Sequence, residues 1–255
     1  MGKKEQYKKL NRHYEGIDFE KRPFGYSWRH FSWNRDPMYK KVAEHLIEGN
    51  VLDDGGGFGY FRKFVPNRRY YNLDISPEIL KYDKGENKVL GSGEDLPFDD
   101  ESFDNVVSIG VLRQVIDEKA YLDEAYRVLK PGGRFIITTP RKEWLKDLLK
   151  SWFFWSVLIY YFKWVFCQDV KRAISEFKKT VRKDNKGIQS VPLPSRLFGE
   201  EWLRKELEER RFRIIHQTRC TKQLPGPIAQ SFCEKFVDAK KYGQFSLFVC
   251  EKQQK

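Results

Sequence analysis

The sequence predicts an α/β protein with a mostly parallel sheet covered by helices on both faces, and three observations carry that expectation. Short apolar runs alternate with helical stripes from residue 38 to residue 140. The runs are near-continuous in apolar residues, as strands buried on both faces require. Turn and polar residues, Gly55, Asp74, Gly91 and Gly110, close or follow successive runs. Right-handed crossovers would bring all four to one edge of the sheet.

Residues 1 to 35 mix charges with Tyr7, Tyr14, Phe19, Phe24, Tyr26, Trp28, Phe31 and Trp33. Their spacing fits a short helix and then an irregular segment packed back over the main domain. Met38 to Ile47, opened by Pro37 and ended by Gly49, carries Val42, Ala43, Leu46 and Ile47 as a helical stripe. Val51 and Leu52 begin a strand that runs into DDGGGFG, and RYYNLD forms a second strand ending at Asp74, with Ser76-Pro77 able to open a helix. Lys88 to Leu90 is a weak third strand and Phe103 to Ile109 a clear fourth.

Asp117 to Leu129 reads as a helix with Leu122, Ala125, Tyr126 and Leu129 on one face. Pro131-Gly132-Gly133 stops it, and Arg134 to Thr139 forms the fifth strand. The sheet pattern resumes only later, with a helix from Glu201 to Arg210 and strands at Phe212 to Gln217 and Gln244 to Cys250. The organisation expected is a 1–37 aromatic cover segment, a 38–140 core, a 141–197 hydrophobic and basic insertion, and a 198–255 completion of the sheet. An insertion of that length exceeds an ordinary connection and points to function.

The 48 Lys and Arg exceed the 36 Asp and Glu, leaving a formal charge of +12. Residues 141 to 197 hold thirteen of the cations against five carboxylates, so an anionic surface would be met there. Cys167, Cys220, Cys233 and Cys250 lack paired metal-ligand spacing, and no metal is expected. A reduced, cytoplasmic setting follows. The first residues lack the apolar run of a signal peptide.

VLDDGGGFG, Val51 to Gly59, places four glycines at a strand end, where a ligand can approach the backbone closely. A merely tight turn is the alternative. The absence of a following Lys-Ser or Lys-Thr argues against a nucleotide-triphosphate loop. Asp74 ends the next strand fifteen residues past Gly59, where a carboxylate can accept both hydroxyls of a ribose; as an alternative it caps the Ser76-Pro77 turn. Asp53 and Asp54 would repel a pyrophosphate and suit a ligand carrying positive charge.

Four segments in order, VLDDGGGFG, YYNLDIS, GEDLPFDDESFDNVVSIGVL and RVLKPGGRFIITTP, give the span Val51 to Pro140 a resemblance to the class I S-adenosylmethionine (SAM)-dependent methyltransferases, in their small-molecule, quinone and sterol branch. The resemblance implies a Rossmann-like fold with a seven-stranded sheet and SAM as cofactor. It implies that Asp53, Gly55, Gly57 and Gly59 hold the methionine part, that Asp74 binds the ribose, and that Ile75 lies against the adenine. Asp95 and Leu96 would fall beside the base and Gly110 beneath the methionine. RVLKPGG would be a structural turn.

The chain departs from the family pattern at Asp54, where a hydrophobe is usual, and at Gly56. Ser92 stands where an Asp usually accepts from the adenine amine, with Glu94 or Asp95 as substitutes. Arg113 and Gln114 replace a frequent histidine pair.

Methyl transfer from a sulfonium is a direct displacement that alignment can largely drive. A general base would assist a hydroxyl or carbon acid. His30, in YSWRHFSW, and Tyr14, beside His13, are the candidates, whereas His45 reads as structural and His216 as remote. SWFFWSVLIYYFKWVF, Ser151 to Phe166, holds nine aromatic residues and as a helix would be apolar on nearly every side. Its twelve uncharged residues from Ser151 to Phe162 are too few to span a bilayer. Three readings stay open: contact with an anionic membrane surface at the inner face, with Lys171 to Lys186 facing lipid; a lid over an ordinary pocket; and a homodimer interface.

Aromatics and cations follow one another rather than interleave, which argues against nucleic acid. The expected activity is SAM-dependent methylation of a hydrophobic small molecule or lipid. The alternatives are a non-catalytic SAM-fold scaffold at a membrane and, third, an RNA methyltransferase.

Overall fold

Strand formation follows the apolar runs closely. The computed structural model describes Tyr7 and residues 36–142, 196–220 and 245–254. The chain divides into two units, Met1–Lys142 with Pro194–Lys255, and Glu143–Leu193; the second lies outside the described residues, as do the aromatic block and Lys171 to Lys186.

The first unit is built on a seven-stranded sheet: β1 Val51–Asp54, β2 Tyr70–Asp74, β3 Lys88–Leu90, β4 Phe103–Ile109, β5 Leu129–Pro140, β6 Phe212–Cys220 and β7 Phe245–Lys252. Their order is β3-β2-β1-β4-β5-β7-β6. The first five run parallel, and β7 pairs antiparallel with β5 and β6. The helices are α1 Asp36–Ala43, α2 Pro77–Leu80, α3 Glu118–Val128 and α4 Glu200–Glu209, with 3-10 turns at Tyr60–Phe64 and Leu112–Gln114.

Alternate residues of the strands fill two cores, one on each face. Leu52, Val106, Phe135, Ile137 and Phe248 pack with Leu122, Ala125 and Val128 of α3 and Leu203 and Leu207 of α4. Val51, Tyr70, Val107, Ile136 and Val249 pack with Met38 and Val42 of α1 and with Phe61. Each fully buried Leu, Ile or Phe contributes about 1.5–3 kcal/mol, so these faces hold the helices to the sheet. Crossover geometry does the rest, setting Gly55, Asp74, Gly91 and Gly110 at the C-terminal ends of β1 to β4, at one edge, as the sequence suggests.

Boundaries differ from expectation where side chains compete with the backbone. The α1 helix ends at Ala43 rather than Ile47, because Asn105 of β4 takes both polar groups of Ile47: its Oδ1 accepts from the Ile47 amide and its Nδ2 donates to the Ile47 carbonyl, each at 2.9 Å. Asp117 caps α3, accepting from the Ala120 amide at 3.1 Å. Strand β5 starts at Leu129 rather than Arg134, since Leu129 already pairs with Phe103; the register then shifts, Asn105 facing Arg134, and Pro131-Gly132-Gly133 is absorbed in the irregularity.

Candidate active site

The glycine loop after β1 is pinned to β2 through the loop's own backbone groups. Gly55 and Gly56 both donate to the Leu73 carbonyl, at 2.8 and 3.1 Å. Gly57 donates to Asp74 Oδ2 at 3.0 Å, and Asn72 Nδ2 donates back to the Gly57 carbonyl at 2.8 Å. Gly55, Gly57 and Gly59 have φ of 76, 59 and 68°, a left-handed path that favours glycine. The three differ in what surrounds them. A Cβ at Gly55 would strike Val111 and one at Gly59 would strike Asp83, both at 2.5 Å, whereas one at Gly57 would meet only Ile79 at 3.6 Å and Asp74 at 3.9 Å. Gly57 therefore opens on space that a ligand can occupy.

Three carboxylates converge on this loop. Asp53, 2% exposed, accepts from the Tyr70 hydroxyl. Burial pushes its carboxyl up to about 7, against the Tyr70 bond, and Asp74 and Asp83 add repulsion. Asp54, 1% exposed, lies on the other face of β1. Burial pushes it also to about 7, against its hydrogen bond with Tyr121, while Asp53 and Asp74 raise it further. Its Oδ2 has no hydrogen-bond partner among the described residues. Asp74 is raised by burial and restrained by the amides of Ser76, Gly57 and Ile75; Ser76 N lies 2.9 Å from its Oδ1. Arg62 gives the cluster one nearby cation, and it is committed to Asp83 at 3.0 Å. The surplus of buried negative charge suits a cationic ligand.

Along the same edge, Ile75 follows Asp74 half-buried, and Gly110, with φ 75°, donates to Thr138 at 3.0 Å and leaves its Cβ direction open except for Phe245 at 3.9 Å. Ser92 and Asp95 close a turn in which Asp95 N donates to the Ser92 carbonyl at 3.1 Å and the Asp95 side chain is exposed. Leu96 is 4% exposed and belongs to the α3 side of the core, its amide donating to Glu124 at 2.7 Å. Glu94 accepts from the amides of Ile116 at 2.6 Å and Asp117 at 3.1 Å. His30 and Tyr14 lie outside the described residues. No group of residues among those described could hold a metal ion.

Tyr70, Tyr121 and Asn72 are the participants that sequence reasoning misses. The available signal was chemical: a buried aspartate needs a donor. Each tyrosine lies within an apolar pattern at a place where its hydroxyl can supply one.

Residues 52–137 match a family described as methyltransferase domain. The ubiquinone/menaquinone biosynthesis C-methyltransferase of Geotalea daltonii is 33% identical over 147 residues, 50% of this chain and 59% of that protein. An uncharacterised protein of Methanocaldococcus jannaschii is 28% identical over 256 residues, covering 99% of this chain and 91% of its own. The geranyl diphosphate C-methyltransferase of Streptomyces coelicolor shares the fold with a TM-score of 0.57 at 12% identity, over 97% of this chain and 98% of that one. The chain spans 51% and 59% of the length of the first relatives it matches.

Fold, glycine loop and carboxylate set together define a SAM-binding domain. Over residues 52–137 the chain is similar to the class I SAM-dependent methyltransferases.

Proposed function

We propose that this protein transfers the methyl group of SAM to a hydrophobic small molecule or lipid precursor. The observation that carries the reading is the open space at Gly57 bordered by Asp74, with Asp53 and Asp54 at the end of β1 nearby, both pushed to about 7 by burial. Bound SAM supplies an activated methyl on a sulfonium. The chain's own part is to hold it: the Asp74 carboxylate accepts the ribose hydroxyls, the left-handed loop lets the ligand approach the backbone, and the acidic pair stabilises positive charge. Alignment then supplies most of the rate.

The hydrophobic acceptor is supported by the aromatic block from Ser151 to Phe166. It is supported also by relatives whose names specify such acceptors: the 2-methoxy-6-polyprenyl-1,4-benzoquinol methylase of Danio rerio, 36% identical over 110 residues, and a phthiotriol/phenolphthiotriol dimycocerosates methyltransferase of Mycobacterium ulcerans, 34% identical over 137. We place the protein in the cytoplasm, with the aromatic block and the basic run after it touching the inner membrane face. Among the described residues no helix is long and apolar enough to cross a membrane. His30 and Tyr14 are the proposed proton acceptors for a hydroxyl or carbon-acid substrate.

The test is incubation of the full chain with methyl-labelled SAM and a lipid and metabolite extract, followed by mass spectrometry. A labelled apolar product that disappears with Asp74→Ala is expected. Label confined to polar products or to RNA would refute the acceptor class.

A further inference from the structure

Tyr7 is the one described residue ahead of Asp36, and it is fixed to the β3 end of the cleft. Ser92 Oγ donates to the Tyr7 hydroxyl at 3.2 Å. The Glu94 carboxylate stands beside the phenol and, after burial, does most to raise it. Glu94 is itself held by the Ile116 and Asp117 amides, at 2.6 and 3.1 Å, and its own amide donates to Ser92 Oγ at 3.2 Å. Ser92 and Tyr7 thus form a short hydroxyl chain with an anchored carboxylate behind it. Such a chain polarises each member, giving the first oxygen more acceptor strength than an isolated hydroxyl has. Burial, with the Glu94 carboxylate behind it, holds the phenol above its ordinary range, so it stays a neutral hydroxyl in the chain.

The position of this chain relative to Asp74 gives it a purpose. Gly91 N donates to the Asp74 carbonyl at 3.1 Å, and Asp74 pairs with Leu90 across β2 and β3. Neighbouring strands lie about 4.8 Å apart. A ribose held on the Asp74 carboxylate therefore sets its base one strand further out, over the turn from Gly91 to Asp95. Adenine brings there an exocyclic amine with two N–H groups and needs an acceptor. Asp95, the one carboxylate in the turn besides Glu94, is exposed. Ser92 Oγ has two acceptor lone pairs, of which the Glu94 amide uses one.

We propose that Tyr7 is a cofactor-positioning residue: together with Ser92 it completes the acceptor for the adenine amine and links it to the charge of Glu94, so that a residue from the N-terminal segment forms part of the SAM site. The inference rests on the SAM reading of the cleft. Its consequence is that a neutral hydroxyl pair backed by a carboxylate does what a directly placed carboxylate would do. A further consequence is that cofactor binding and the placing of Tyr7 support each other.

Calorimetric binding of two ligands to the full chain tests this: S-adenosylhomocysteine, and S-inosylhomocysteine, whose base carries a carbonyl oxygen in place of the amine. Wild type is expected to prefer the adenosyl ligand. Tyr7→Phe should lose about twofold to threefold in affinity for it, since the polarisation of the Ser92 bond and not the whole bond is removed, with little change for the inosyl ligand. Adding Ser92→Asp to Tyr7→Phe should restore the preference, because a carboxylate then stands at the position directly. Equal losses for both ligands would mark Tyr7 as merely structural, and unchanged affinity for the adenosyl ligand would remove it from the site; either result overturns the inference while leaving the SAM reading intact. Failure of the wild type to bind either ligand overturns both.

Discussion

Asp54 and Gly93 occupy adjoining space: a Cβ placed on Gly93 would fall 2.5 Å from both carboxylate oxygens of Asp54 and would also collide with the Tyr121 ring. The aspartate at the end of β1 and the glycine in the β3 turn therefore constrain each other sterically. Gly93→Ala should destabilise the protein by about 1–3 kcal/mol, as overpacking does. The cost should fall in an Asp54→Ala background, where room has been made. Urea unfolding of the two single variants and the double measures the coupling. Simple additivity would mean that the two positions do not constrain each other.

The pH dependence of the ligand-free protein follows from the buried acids. Asp53 and Asp54 have folded values near 7, raised from an ordinary 3.8. A group raised on folding binds its proton more tightly in the native state, so its stabilisation is complete below about pH 4 and is lost as pH rises through about 7. A cationic ligand reverses the preference by favouring the ionised acids. SAM should therefore bind more tightly as pH rises from about 6 to about 8 and release protons as it binds. S-adenosylhomocysteine, which lacks the sulfonium, should gain less. Calorimetry in buffers of different ionisation enthalpy reads both effects, and a SAM affinity that falls over this range would contradict them.

Tyr121 sets part of that midpoint. Its hydroxyl oxygen lies 2.7 Å from Ser108 Oγ; with Ser108 as donor to it, the phenol proton is left for Asp54 and holds that carboxyl down against burial. Tyr121→Phe removes that restraint, so the pH midpoint of SAM binding should move upward. Tyr70→Phe should act likewise through Asp53. The same SAM titrations across pH, repeated on both variants, check the direction; a downward shift is inconsistent with the assigned pairs.

The glycines of the loop should separate into two kinds. Gly57→Val points into open space and should abolish cofactor binding, with a stability loss limited to about 1–2 kcal/mol for its left-handed backbone. Gly59→Ala instead collides with Asp83, the partner of Arg62 and acceptor for Asn72 Nδ2. It should unfold at clearly lower denaturant concentration, since it displaces the buried Asp83 carboxylate from its Arg62 and Asn72 donors. Paired unfolding and binding measurements distinguish them.

The fold was largely legible because the apolar runs of β1, β2, β4 and β5 admit one arrangement, a parallel sheet with its turn residues on one edge. That Asp74 would close β2 was legible for a similar reason: it ends an apolar run and precedes Ser76-Pro77. What escaped was decided by register across the sheet. That Asn105 would capture Ile47 and end α1, or that Tyr70 and Tyr121 would serve the two faces of β1, depends on pairings such as Val51 with Tyr70 and Val51 with Asn105. No local spacing in the sequence encodes them. The link from Tyr7 to Ser92 crosses 85 residues and was hidden for the same reason.

The central claim, that the cleft between Gly57 and Asp74 holds SAM, is tested most directly by calorimetric titration of SAM into the wild-type chain and into Asp74→Ala. Binding in the micromolar range by the wild type is expected, weakened at least about tenfold by loss of a charged hydrogen-bond acceptor. Equal affinity in the two proteins, or no binding by the wild type, would contradict the account.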